Sequence, residues 1–267
     1  MLNEETLQNL QNNPVAHEVM QTTGGRATVI PERYRVQDLN HWHERPQRFT
    51  GAYRTGSIAD FIAYANANKQ ADSALYIDQD EHSAVLIIDH GTHTEPRHGE
   101  HKAILNLKPT PAYLTLQKIH EGKNKQQTIA EWIEDWGENL TVEDDSGESM
   151  SVAQATAAIR RITIAAQREG EYEDNDNKRK LTVSEQVEAK MRGKQPKTLR
   201  FTFIPFDGFE LVQAEIRLIV LAIEGTPIIR TRVLQKEAFE EKLGQTFKSK
   251  LQEGITGIPA YVGTFKK

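Results

Sequence analysis

The chain of 267 residues contains no cysteine. Disulfides, cysteine-ligated zinc, iron–sulfur clusters and thiol nucleophiles are therefore excluded together. Long apolar runs are missing as well. The longest, Leu218 to Ile223, falls far short of the roughly 20 residues a helix needs to cross a bilayer. The first residues, Met1-Leu2-Asn3-Glu4-Glu5, show neither a basic segment nor an apolar stretch. No signal peptide is expected, and the cytoplasm is the expected compartment. Phosphate loops of the G-x-x-x-x-G-K-[ST] type, G-x-G-x-x-G turns and G-x-S-x-G elbows are absent too. Net charge is −5, so the surface is not basic throughout. A local basic patch is still allowed, because steering depends on how charge is distributed.

What is present reads as a globular protein. Apolar residues make up 37% and charged residues 27%, with mean hydropathy −0.61, which suffices for a packed core. Asn3 to Asn13 reads as a short helix and Thr28 to Ile30 as a short strand. Ser57-Ile58-Ala59-Asp60 fits a capping box, and Ile58, Phe61, Ile62 and Ala65 then share one helical face. Ala74–Ile77 and Ala84–Ile88 flank a polar turn and predict a hairpin, with a third strand at Ala103–Leu107. Thr110-Pro111 opens another helix. Ile129, Trp132, Ile133, Trp136 and Leu140 fall at helical spacing. A helix follows over Ser151–Gln167, and Glu143 to Glu148 reads as an acidic loop before it.

Leu199, Phe201 and Phe203 alternate with Arg200, Thr202 and Ile204, which is strand periodicity. Ala214–Ile223 and Ile228–Leu234 form a hairpin about Glu224-Gly225. Phe239, Leu243, Phe247 and Leu251 mark a closing helix, and Tyr261–Phe265 a last edge strand. The expected class is α+β: antiparallel sheets with hairpins and packed helices, ending in a C-terminal β-meander plus helix. A soft boundary at the polar stretch Gly170–Lys180 divides residues 1–170 from 171–267, the alternative being one domain.

Two constellations bear on chemistry. Five of nine histidines lie between positions 82 and 101. His90, His93, His98 and His101 are candidate ligands for a transition metal, with Asp89 or Glu95 adding an oxygen. The bland reading is a solvated loop, given Gly91, Pro96 and Gly99, and no cofactor is expected. The second constellation is charge. Glu131 to Glu148 is acidic without Lys or Arg, whereas Lys178 to Arg200 is strongly basic. Lys178, Arg179, Lys180, Arg192, Lys194 and Lys197 are candidates for binding a nucleic-acid backbone or another anion. Alternatively, the acidic face of one copy meets the basic face of another.

Leu86-Ile87-Ile88-Asp89-His90, Glu100-His101-Lys102-Ala103 ahead of an apolar strand, the helix Pro109–Gln117 and Gln126 to Asp135 form an ordered series of short motifs. Together they resemble a phage and prophage domain-of-unknown-function family, the one that includes the YfdQ-type prophage protein. The resemblance implies a phage accessory protein encoded among recombination and replication genes. His90 and His101 match its pattern better than His93 and His98 do. The leading expectation is a non-enzymatic, self-associating protein that binds nucleic acid or a host component, with no membrane partner. The alternatives are a metal-dependent hydrolase using Asp89, His90 and His101, and a counter-defence protein that sequesters a nucleotide or host factor.

Overall fold

The computed structural model describes residues 44–46, 48–170, 194–223 and 226–265. The helix expected at Asn3 to Asn13, the strand expected at Thr28 to Ile30, the polar stretch after Gly170 and the turn expected at Glu224-Gly225 lie outside these residues. From Thr50 onward the chain forms one compact unit. It is an α+β fold of five helices and two mostly antiparallel sheets among the described residues.

The first sheet has the order β1-β4-β3-β2-β11. Its centre is the hairpin of β2 (Ala74–Asp78) and β3 (Ser83–Ile87), followed by β4 (His101–Asn106). β1 (Gly51–Thr55) runs parallel to β4, and β11 (Ala260–Val262) parallel to β2. Between β1 and β2 lies α1 (Ile58–Asn68). The Ser57 side chain accepts from the Asp60 N–H at 3.2 Å, as a capping box requires. The Ser57 N–H, however, donates to Thr55 Oγ1, so Thr55 takes the reciprocal role expected of Asp60. Phe61 and Ala65 on this helix, with Leu75, Ile77, Leu86 and Leu105 on the strands, are fully buried.

The second sheet, β5-β10-β9-β8-β6-β7, is antiparallel throughout. β8 (Pro196–Phe203), β9 (Val212–Ile223) and β10 (Thr226–Val233) form the expected meander, with β9 in its interior. β5 (Lys123–Lys125), β6 (Leu140–Asp144) and β7 (Ser149–Met150) come from earlier in the chain. The pairings β5–β10 and β6–β8 thus join segments on either side of residue 170, as β2–β11 does in the first sheet.

α2 (Pro111–Ile119), capped by Thr110, precedes β5, and α3 (Gln126–Asp135) follows it. The apolar repeat across 129–140 overstates α3. The helix stops at Asp135, a short 3-10 turn intervenes, and Leu140 begins β6. The acidic stretch is likewise a β6–β7 hairpin and not an open loop. α3 and α4 (Val152–Gly170) cover one face of the second sheet. Phe201 lies there, with Trp132 and Trp136 edge-on at 5.3 and 5.6 Å. Edge-to-face contact suits the ring quadrupoles.

α5 (Lys236–Gly254) touches both sheets. Its Phe239 faces Phe203 at 6.3 Å, while its Phe247 reaches His82 in the β2–β3 turn at 6.0 Å. Gly244 permits this approach, since a Cβ there would lie 2.9 Å from the Gln79 carbonyl oxygen. One hydrophobic cluster consequently runs through both sheets. No helix among the described residues is long and apolar enough to cross a membrane.

Candidate functional site

The histidines singled out from sequence do not converge. Among the described residues, no three His, Asp or Glu side chains are grouped so as to hold a metal ion. Asp89 instead organises backbone: Oδ1 accepts from the His101 N–H at 2.8 Å and Oδ2 from the Glu100 N–H at 3.1 Å. His90 sits between the Gly91 carbonyl, 2.8 Å from Nδ1, and the Tyr76 hydroxyl, 3.0 Å from Nε2. That arrangement fits the tautomer protonated at Nδ1, with Nε2 accepting. His101 meets the Tyr64 hydroxyl at 3.0 Å on the far side of the sheet. His93 and His98 are exposed on the connecting loop.

The predicted basic segment divides. Lys178, Arg179, Lys180 and Arg192 lie outside the described residues. Lys194 is bonded to Glu148 and lies 3.7 Å from Asp144. Arg200 is bonded to Glu143, and Lys197 is exposed. The acidic and basic runs, far apart in sequence, are thus brought together by the β6–β8 pairing. Asp144 is buried, and its Oδ1 accepts from the Ser146 hydroxyl at 2.7 Å, the Glu148 N–H at 2.8 Å and the Ser146 N–H at 3.0 Å. The Ser146 hydroxyl bond, chiefly, holds the Asp144 carboxyl below its ordinary range. The sequence places this residue in a solvated loop. The fold makes it the organiser of a hairpin turn.

Two further features emerge only from the fold. The first is the second sheet's open face. Because side chains alternate along a strand, the residues opposite Phe201, Ala214 and Ile229 point away from the helices. On β5, β10 and β9 these include Lys123, Lys125, Arg230, Arg232 and Arg217, all exposed. Register sets like charges directly opposite one another: Lys123 faces Arg230, and Arg232 faces Arg217. None of the five has an ion-pair partner among the described residues. Among the described strand residues, the acidic groups on this face are Glu143, bonded to Arg200, and Glu215, opposite Arg200 across β8 and β9. Alternation of charge in Lys-Asn-Lys and Arg-Thr-Arg was visible in the sequence, but which strands were neighbours was not.

The second is a cleft of about 650 Å³ between the β2–β3 turn, α2 and the start of α5. Asp80, Glu81, Glu237, Glu240 and Glu241 line it, with Tyr113 and Phe206 as aromatic wall. Only Glu240 among these carboxylates has an ion-pair partner among the described residues, Lys236 at 2.6 Å. His82 also lines the cleft. Its backbone is left-handed, φ 47°, a conformation costing a residue other than glycine on the order of 1 kcal/mol. The ring lies 4.5 Å from that of Phe206. Burial pushes the His82 imidazole below its ordinary pKa, the Asp80 backbone bond opposing, so the ring is neutral at pH 7. Its Nε2 is buried without a hydrogen-bond partner.

A family model described as Uncharacterized conserved protein (DUF2303) matches residues 3–265. No curated protein and no solved structure matches the chain.

Proposed function

The chain belongs to that uncharacterized conserved family, matched over residues 3–265, and from this premise we propose that it is a phage or prophage accessory protein that binds nucleic acid, without catalysis, through the open face of its second sheet. The observation that carries the reading is the exposed cluster Lys123, Lys125, Arg217, Arg230 and Arg232, with its two like-charged cross-strand pairs. Like charges directly opposite in a sheet destabilise it. A polyanion lying across the face would remove that repulsion and gain five cationic contacts.

The geometry favours an elongated ligand. The cations step from β5 to β10 to β9, spanning two strand spacings and two alternate-residue steps. With strands about 4.8 Å apart and alternate residues about 6.8 Å apart, the stripe is about 17 Å long. That accommodates several consecutive phosphates. No base-reading groove is involved, so the contacts are to backbone and independent of sequence.

Self-association in the cytoplasm is part of the same proposal. One short stripe supplies limited affinity, and symmetric copies would present several stripes to one strand. Binding of the full chain to short single- and double-stranded DNA at low salt tests the reading, alongside native mass spectrometry. A protein without affinity for either DNA refutes the binding. A monomer at every concentration refutes the assembly.

A further inference from the structure

We infer that the open face of the second sheet takes single-stranded nucleic acid in preference to duplex, with unpaired bases resting on Ile219 and Ile228. The inference rests on the nucleic-acid reading of that face. Strand alternation places both isoleucines on the side that carries the cations. Ile219 of β9 lies directly opposite Arg230 of β10, and two residues along from Arg217. Ile228 of β10 lies directly opposite Lys125 of β5, and two residues before Arg230. The two isoleucines are diagonal neighbours on adjacent strands, about 7–8 Å apart. Both are half-exposed, and neither joins the hydrophobic cluster that runs through the two sheets. The cationic stripe therefore has an aliphatic floor.

The cations alone do not choose between the two forms, because both carry phosphates. The isoleucines do. A duplex keeps its bases stacked inside and offers phosphate and sugar to any surface that does not enter a groove. The major groove is about 12 Å wide and admits one helix or a two-stranded ribbon. The second sheet has six strands, with β9 third from its edge. At about 4.8 Å between strands the sheet is about 24 Å across, so Ile219 lies too far inside it to reach a groove floor. Against a duplex its apolar surface would meet charged phosphates. A single strand can set its phosphates on Lys123, Lys125, Arg230, Arg232 and Arg217 and turn its bases down onto the isoleucines. The faces of the bases and the aliphatic side chains then leave water together, which is favourable. No hydrogen bond to a base edge is involved, so binding stays indifferent to sequence.

The test compares oligothymidylate, which forms no base pairs, with a mixed-sequence duplex of equal length. Both are titrated by anisotropy against the full chain. The single strand should bind about tenfold more tightly. Ile219→Thr and Ile228→Thr keep the branched side chain that suits a strand. Each should weaken oligothymidylate binding by about fourfold, the worth of one methylene no longer removed from water, and leave duplex affinity unchanged. No charge is altered, so the log–log salt line should shift in parallel and keep its slope. Native mass spectrometry should show the same assembly in the variants as in the unsubstituted protein. Duplex binding as tight as single-strand binding, unchanged oligothymidylate affinity in both variants, or weakening that comes with lost assembly would each overturn the inference and leave nucleic-acid binding by this face intact. No affinity for either ligand would overturn it together with the reading it rests on.

Discussion

Arg217→Thr should make the protein more stable while weakening its hold on a polyanion. Arg217 is exposed on β9 and faces Arg232 of β10. A directly opposed like-charge pair costs roughly 0.2–1 kcal/mol. Threonine removes the charge, favours the strand conformation and lies beside Thr198 of β8 in the same cross-strand row. Loss of the attraction between Arg217 and Glu215, two residues back on the same face, offsets part of the gain. The net expectation is about 0.5 kcal/mol, or about 1–2 °C in Tm for a unit of this size. The assay is thermal unfolding of both proteins at low and high salt. Screening contracts from about 10 Å at 0.1 M to about 3 Å at 1 M, so the difference should shrink as salt is added. Arg217→Glu, which sets opposite charges face to face, should gain more. Loss of stability at low salt, or a gain that grows with salt, would refute the repulsion argument and remove the main support for a polyanion site.

Three other perturbations follow from the structure. Gly244→Ala should destabilise by about 1–3 kcal/mol in urea, because overpacking against the Gln79 carbonyl outweighs the better helix propensity of alanine; an unchanged midpoint would mean that α5 does not press on the β2–β3 turn. The His82 imidazole is held below its ordinary pKa by burial. Its stabilising contribution is therefore complete above the unfolded value of 6.5 and declines as pH falls through it toward the lower folded value. Tm should drop as pH falls through 6.5 and below, less so in His82→Asn, and equal slopes in the two proteins would count against burial as the cause. Asp144 is likewise held below its ordinary 3.8, first by the Ser146 hydroxyl. Asp144→Asn should lower Tm at pH 7 and flatten the decline seen as pH falls through 3.8 and below; identical melting curves would contradict its role in the turn.

Much of the fold was legible because periodicity and caps act locally. Thr110-Pro111 opened a helix where expected, and Leu199, Phe201 and Phe203 turned inward together. The errors arose where an apolar residue served a different element. Leu140 continues the helical spacing of Ile133 and Trp136, yet it is the first residue of β6, because the chain must turn to pair with β8. The site was far less legible. Charge runs stand out in sequence, but Glu143 with Arg200 and Glu148 with Lys194 cancel across a strand pair. The basic stripe instead draws on Lys123, Arg217 and Arg230, residues with no common run, which only the register β5-β10-β9 brings together. The crowded histidines between 90 and 101 were conspicuous, whereas the one with a buried, unpartnered ring nitrogen among the described residues is His82, set apart by its backbone conformation and by burial from α5.

The salt dependence of DNA binding tests the role of the basic sheet face most directly. Five cationic contacts at about 0.9 each give a log–log slope of about −4.5 on duplex DNA. Between 50 and 200 mM salt, anisotropy titrations should then show affinity falling about 500-fold. Replacing Arg217, Arg230 and Arg232 together by glutamine leaves two contacts, a slope of about −1.8 and a fall of about twelvefold. A steep slope that flattens in this variant is the predicted result. No binding at low salt, or the same slope in both proteins, would contradict the claim that this sheet face receives nucleic acid.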